Sequence, residues 1–285
     1  MYHESLKLKN IYLKNQNVNA KIIKELLHNL YKNIRFSTFP YLTYKAKNSH
    51  EALNRFNSGN CIALTYFIKK YLKQNYNIDS YIIGASVPPI FKVENTPEIC
   101  HCAICIPINS NEFYILDGAF YFIEPMYCNL SENVERSIIN SDIYNHEISV
   151  INYMIDICNC NNIDEIFKQE LLNQSLCVTC YFNNDLSQKW KYYLNEVLNP
   201  DESIGSYFLE QKQLPFLLYT DYDFQNNIVK LLYKIYIDEE GNIVFKKYPD
   251  KEILFKGNIN DIYKYPKINN LLQENMNSHF DNYIV

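Results

Sequence analysis

The sequence predicts an α+β fold with three regions: an N-terminal helical bundle over residues 1–78, a central antiparallel β-barrel over 79–184 and a C-terminal α/β lid over 185–285. Three observations support this prediction. Apolar residues recur at helical spacing in the first region, several short β-rich segments follow one another in the second, and the third combines a helical pattern with a hairpin signal. With 47% hydrophobic residues, the 285-residue chain can bury a sizeable core.

In the first region, apolar side chains spaced three or four positions apart predict a helix over 19–33. After a predicted loop over 34–48, Ser49 is a helix-capping residue type and predicts a short helix that ends near Phe56. A cluster of turn-forming residues follows at 57–60. The helical pattern then resumes at Cys61, so we expect this cysteine at the start of the third helix.

The barrel is predicted from short runs rich in β-branched and aromatic residues. These runs span 80–87, 99–108, 113–116, 120–123, 148–157 and 176–182, with a connecting helix over 163–173.

The last region combines a helical pattern with a hairpin signal. A helix that contains Trp190 is predicted over 185–198, and an irregular segment over 199–227. Two β-rich runs, 228–237 and 243–248, flank a turn-forming segment with a glycine and predict a hairpin.

Charge and hydropathy exclude several classes of function. The net charge of −5 gives no basic patch for a nucleic-acid partner. No stretch approaches the ~18 consecutive apolar residues of a membrane helix, and the N-terminus lacks a signal-peptide pattern, so we expect a cytoplasmic protein that needs no membrane. Nine scattered cysteines without a secretory signal favour free thiols over a disulfide framework.

Cys61 has the position of a reactive thiol. A thiol attacks as its thiolate, and the thiol pKa falls at a helix N-terminus beside an imidazolium. Gly59 allows a sharp turn just before the helix, and backbone N–H groups at that end suit a developing oxyanion. The alternative interpretation is a small residue packed at a helix start.

His101 and Asp117 complete a candidate Cys-His-Asp triad. His101 lies within an apolar strand, where an unpaired imidazole costs about 1–3 kcal/mol and so needs partners. Asp117 ends the next predicted strand, from which its carboxylate can orient the imidazole and stabilise its charged form. Taken singly, His101 also fits a core histidine bonded to backbone, and Asp117 before Gly118 also fits a turn.

With these residues in place, the sequence resembles the arylamine N-acetyltransferases within the transglutaminase-like and papain-like cysteine superfamily. Members of that family have a helical bundle, a β-barrel and an α/β lid in this order. The family cysteine follows a segment like Arg-Gly-Gly-Tyr, here Asn-Ser-Gly-Asn at 57–60, and its aspartate lies in a Val-Asp-Val-Gly-Phe-Gly pattern, here Leu-Asp-Gly-Ala-Phe-Tyr at 116–121. His101 follows Cys61 by 40 residues, a separation similar to the family's.

The resemblance implies ping-pong acyl transfer, with acetyl-CoA as co-substrate and no metal. Cys61 would take the acyl group from an acyl-CoA donor and pass it to an arylamine or another small amine acceptor, while His101 handles the proton. Gly118 and Phe120 are implied near the acyl-CoA pocket. The arginine and one glycine of the family's cysteine segment are absent, and Tyr121 stands where a glycine is expected.

Three alternatives remain open. The same triad can hydrolyse a peptide or amide bond with water as the acceptor. Cysteine pairs such as Cys177-x-x-Cys180 suggest a zinc site, although they lie in apolar β segments where cysteine often packs as a core residue. The chain can also be a non-catalytic relative of the fold.

Overall fold

A computed structural model describes residues 18–42, 45–92, 96–143, 147–159, 174–183, 185–197 and 215–258, together with 261, 264–266 and 270. In these residues the predicted α+β architecture is confirmed. N-terminal helices pack on a nearly closed eight-stranded antiparallel sheet, and a second, mixed sheet contains the C-terminal strands.

The N-terminal helices agree with the sequence patterns. Four of them precede residue 77: α1 (Ala20–Asn33), α2 (Phe39–Leu42), α3 (Ser49–Phe56) and α4 (Cys61–Tyr76). The cap of α3 is Asn48 rather than Ser49, because the Asn48 side chain accepts a hydrogen bond from the Glu51 amide at 2.9 Å. The loop predicted over 34–48 is wrong in part, since it contains α2 and a short strand.

The eight-stranded sheet forms the barrel, and each neighbouring pair in it is antiparallel. Its strands are β3 (Tyr81–Ala85), β4 (His101–Pro107), β5 (Glu112–Leu116), β6 (Met126–Asn129), β7 (Arg136–Asp142), β8 (Glu147–Asn159), β9 (Gln174–Phe182) and β10 (Asp185–Val197). Their order is β6-β5-β4-β3-β10-β9-β8-β7. A single bridge between Phe122 and Asn140 brings β7 towards the turn before β6, so the two edges of the sheet nearly meet.

Two predictions in and beside the barrel are wrong. The helix predicted over 185–198 is strand β10, which lies between β3 and β9 and buries Trp190, Tyr192 and Leu194. Pairing with β3 and β9 places these side chains in the barrel core, and this tertiary context overrides the local helix propensity. The strand predicted over 120–123 is a turn. The helix predicted over 163–173 lies outside the described residues.

The second sheet joins strands from both ends of the chain. It comprises β1 (Arg35–Ser37), β2 (Ser58–Gly59), β11 (Phe216–Asp223), β12 (Ile228–Ile237), β13 (Ile243–Lys247) and β14 (Ile253–Gly257), in the order β14-β13-β12-β11-β1-β2. The predicted β12–β13 hairpin is confirmed, whereas the irregular segment predicted over 199–227 is wrong at β11. Only the β1–β2 pair is parallel among the described pairs.

The main core lies between α1, α4 and the barrel, and it includes Cys61 together with the apolar residues of β3, β4 and β5. A second cluster fills the other face of the C-terminal sheet, around Ile235 and Phe245. The boundaries at 78 and 184 stay a prediction. In the described residues, no helix has the length and apolar character needed to cross a membrane.

Candidate active site

Cys61 is the first residue of α4, and the local sequence explains why the helix begins there. The side-chain oxygen of Asn60 caps the helix by accepting hydrogen bonds from the amides of Ile62 (3.1 Å) and Ala63 (3.3 Å). Gly59 has to be a glycine, because a Cβ atom there would lie 2.3 Å from the Cβ of Ala63. The turn therefore presses tightly against the helix and fixes the thiol at its head.

A buried hydrogen bond joins His101, the first residue of β4, to Asp117, which follows β5. The distance from His101 Nε2 to Asp117 Oδ2 is 2.6 Å, and the two residues are 4% and 1% exposed. The same Oδ2 accepts a hydrogen bond from the hydroxyl of Tyr192 at 2.8 Å. The other oxygen, Oδ1, accepts from the amides of Ala119 (3.0 Å) and Phe120 (3.1 Å). Four donors thus fix the carboxylate.

Burial and charge set the protonation of the imidazole. Burial alone would lower the pKa of His101, but the charges of the Asp117 carboxylate and of Cys61, with hydrogen bonds to both, outweigh it and raise this pKa to about 10. Burial also raises the pKa of the Tyr192 phenol well above its ordinary value, with Asp117 as the next cause. Tyr192 therefore remains a hydrogen-bond donor.

Opposing effects act on the thiol of Cys61. A hydrogen bond with Cys102 and then burial raise the pKa of Cys61 well above its ordinary value, whereas the charge and hydrogen bond of His101 lower it. The Thr65 hydroxyl links the two cysteines, since it donates to the Cys61 carbonyl at 2.7 Å and lies 3.5 Å from Cys102 Sγ. The raising effects prevail, so the formation of a thiolate at Cys61 depends on a charged His101, which Asp117 maintains.

An aromatic wall borders this pair. The ring of Phe120 lies 4.8 Å from the ring of His101, and Phe91 and Trp190 lie 5.9 Å and 5.7 Å from Phe120. Apolar rings around a buried imidazole and carboxylate exclude water and strengthen the electrostatic interactions between them. Cys61 itself is 3% exposed, so the candidate site is enclosed.

The structure brings His101, Asp117 and Phe120 into contact, and Cys61 lies near enough to His101 for each to change the pKa of the other. Gly118 instead faces the helices, because a Cβ atom there would lie 2.8 Å from the Leu30 side chain. The catalytic role of the three residues, and the donor-binding role of Gly118 and Phe120, stay predictions.

Sequence reasoning missed two residues of this site. Tyr192 lies in the segment predicted as a helix, and it is pairing with β3 and β9 that makes this segment a strand. Asn60 is a strong N-cap residue directly before a helical pattern, and that signal was available. Among the described residues, no group of three or more His, Cys, Asp or Glu side chains could hold a metal ion.

The fold and the site together define a class of structure: a thiol at a helix head beside a histidine–aspartate pair from a β-barrel. Solved structures that share this fold include arylamine N-acetyltransferases. Those from Bacillus cereus (TM-score 0.57, 12% identity) and from Bacillus anthracis, form C (0.56, 13%), cover 91% and 95% of this chain and the same shares of their own. The Nocardia farcinica structure (0.52, 10%) covers 92% of this chain and 84% of its own.

The chain therefore has the arylamine N-acetyltransferase fold across more than nine-tenths of its length, at low sequence identity. The Bacillus cereus enzyme is described as having a unique Cys-His-Glu catalytic triad, whereas position 117 of this chain is an aspartate. The sequence matches no protein-family model and, at a significant level, no curated protein.

Proposed function

We propose that this protein is an acyltransferase in which Cys61, His101 and Asp117 act as a catalytic triad. The donor is acetyl-CoA, and the acceptor is an arylamine or another small amine. The observation that carries the proposal is the buried His101–Asp117 hydrogen bond of 2.6 Å beside the thiol at the head of α4. The shared fold supports acyl transfer over other uses of such a site.

The proposed reaction has two balanced steps. The Cys61 thiolate attacks the carbonyl carbon of the acetyl thioester, and the CoA thiolate leaves with the proton of the His101 imidazolium. The amine then attacks the acetyl group on Cys61 while neutral His101 accepts the amine's proton. Cys61 leaves as a thiolate, and the imidazolium–thiolate pair is restored.

Asp117, Phe120 and Gly118 have supporting roles in this proposed reaction. Asp117 keeps His101 charged before the first step, since its carboxylate raises the pKa of the imidazole against the effect of burial. Phe120 borders the imidazole and is proposed to contact the acetyl end of the donor. Gly118 supports this contact through the turn that it shares with Asp117 and Phe120.

The proposal also includes a cytoplasmic location. Seven cysteines of the described part of the chain are free, buried thiols, which fits a reducing compartment. The proposed partners are accordingly small molecules: an acyl-CoA donor and an amine acceptor.

The experiment is intact-mass measurement after the protein is mixed with acetyl-CoA in the absence of an amine. We expect one acetyl adduct, its loss in Cys61→Ala, and its persistence in Cys105→Ala, a matched control because Cys105 is also buried and lies on the same strand as His101. Adding an arylamine should discharge the adduct. Cleavage of a model amide without any adduct would instead indicate a hydrolase, and inertness in both assays a non-catalytic relative.

A further inference from the structure

One row of paired residues crosses the C-terminal sheet from Gly59, two residues before the candidate nucleophile, to two lysines. Gly59 of β2 pairs with Phe36 of β1, and Phe36 pairs with Leu218 of β11. Leu218 in turn pairs with Lys234 of β12, and Lys234 pairs with Lys246 of β13. Because α4 begins two residues after Gly59, the row starts at the head of that helix and ends at two ammonium groups.

The lysines lie on the face of the sheet that meets the main core. Leu218 belongs to the core cluster that contains Cys61, and Phe36 and Phe216 pack against the same cluster. Ile235, the neighbour of Lys234 along β12, belongs to the second cluster on the opposite face. Since side chains alternate along a strand, Lys234 points to the same side as Leu218.

Two like charges directly opposite each other on neighbouring strands destabilise a sheet. Within the described part of the chain, neither Lys234 nor Lys246 forms an ion pair, whereas Lys230 and Lys256 of the same sheet contact carboxylates. The ammonium of Lys234 lies over the rings of Phe216 (5.3 Å) and Tyr236 (5.6 Å).

Lys246 lies in the same way over Tyr248, at 5.9 Å. Burial, and then the charge of Lys246, lower the pKa of Lys234. The two lysines are therefore half-buried, their ammonium groups lie against aromatic rings, and among the described residues no carboxylate pairs with them.

We propose that Lys234 and Lys246 form a subsite for the phosphate groups of the acyl donor, an inference that rests on the proposed function. At about 4.8 Å per strand, Lys234 and Lys246 lie about 14 Å and about 19 Å from Gly59 along the row. A pantetheine arm has about a dozen bonds between its sulfur and the first phosphate, comparable to four extended residues or about 14 Å. A donor with its thioester at Cys61 and its arm extended along this row would therefore bring its phosphates within reach of the lysines.

The first test compares two donors that carry the same thioester, acetyl-CoA and S-acetylpantetheine, of which only the first has phosphates. The rate of acetylation is followed by intact mass in wild type, in the Lys234→Met/Lys246→Met double variant and in Lys247→Met. Lys247 is the matched control, since it adjoins Lys246 on β13 and points to the other face.

We expect the acetyl-CoA concentration for half-maximal rate to rise about tenfold or more in the double variant, as for the loss of charge-assisted hydrogen bonds. The response to S-acetylpantetheine should not change, and Lys247→Met should match wild type with both donors. A double variant that uses acetyl-CoA as wild type does would overturn the proposal.

The second test does not depend on chemistry at Cys61. Binding of CoA, dephospho-CoA and inorganic pyrophosphate to Cys61→Ala is measured by calorimetry, with and without the two lysine substitutions. If the wild-type protein is never acetylated but CoA binding still depends on the lysines, the phosphate subsite stands and the proposed function fails. Absence of CoA binding at millimolar concentration, or pyrophosphate binding as tight as that of CoA, would overturn the assignment to the donor.

Discussion

The barrel and the C-terminal sheet each carry charged side chains towards the main core, but the charges differ in how many partners they have within the protein. On the barrel, Asp117 accepts four hydrogen bonds, and its partner His101 is held at 2.6 Å. On the sheet, Lys234 and Lys246 face each other without an ion pair among the described residues. The charge of Asp117 holds the geometry of the candidate site and is fully hydrogen-bonded, whereas the two lysine charges are the ones proposed to meet a ligand.

The difference has an energetic basis. An unpaired buried polar group costs about 1–3 kcal/mol, so a chain retains one only where folding stability tolerates the cost. For the Asp117 carboxylate, four hydrogen bonds offset that cost. The half-buried lysines reduce it through the faces of aromatic rings, a weaker interaction of about 0.5–2 kcal/mol.

The largest expected effect comes from removing the charge of Asp117 on the barrel. Asp117→Asn keeps the size of the side chain but removes the charge that holds His101 protonated, so we expect alkylation of Cys61 by iodoacetamide to slow about a thousandfold. Mass spectrometry of the modified cysteine over time measures the rate. Asp221→Asn, an exposed aspartate on β11, is the control. An unchanged rate in Asp117→Asn would contradict the assigned role of the carboxylate.

The second prediction concerns pH. Because the pKa of His101 is about 10 in the folded protein and about 6.5 when unfolded, the folded state binds the extra proton between these values. The contribution of His101 to stability is therefore complete below about pH 6.5 and is lost as pH rises to about 10. Wild type should lose on the order of a few kcal/mol of unfolding free energy over this window relative to His101→Gln.

Urea titrations at several pH values measure that loss. His50→Gln, at an exposed position on α3, should follow the wild-type curve. Parallel curves for wild type and His101→Gln would show that the imidazole does not gain its proton in the folded state.

A smaller effect is expected from removing the hydrogen bond that Tyr192 donates to the Asp117 carboxylate. Tyr192→Phe removes one of four donors to Asp117 and should slow alkylation of Cys61 about tenfold, at a cost of about 1 kcal/mol in unfolding free energy. Tyr193→Phe is the control, because that hydroxyl binds Glu98 instead. Equal rates for the two variants would restrict the role of Tyr192 to packing.

The smallest expected effect concerns the two facing lysines of the C-terminal sheet. Lys246→Met removes one of two facing like charges, so we expect the unfolding free energy to stay the same or rise by about 0.5 kcal/mol. Lys256→Met, which breaks contacts with Asp238 and Glu240, should destabilise slightly. If Lys246→Met destabilises more than Lys256→Met, then Lys246 is already neutralised within the protein.

Sequence patterns predicted three of the four N-terminal helices and five of the eight barrel strands, because local spacing and caps determine those elements, whereas α2, β6 and β7 were missed. Cys61 and Asp117 could be singled out by their positions at element ends. Strand β10 and its Tyr192 could not, since a segment such as Asp185–Val197 has a helical local preference that only pairing with β3 and β9 overrides. The row of paired residues that ends at Lys234 and Lys246 could not be predicted either, because the register across five strands is a tertiary property.

The three-residue strand β1 has a consequence for any attempt to divide this protein. Phe36 and Ser37 from the first fifth of the chain pair with β11, and β1 pairs in turn with β2 beside the candidate nucleophile. A truncated protein that ends before residue 215 would expose an unpaired edge at β1 and remove the support behind the turn at Gly59. Expression of the first three-quarters of the chain alone is therefore expected to yield aggregation-prone material rather than a smaller folded protein.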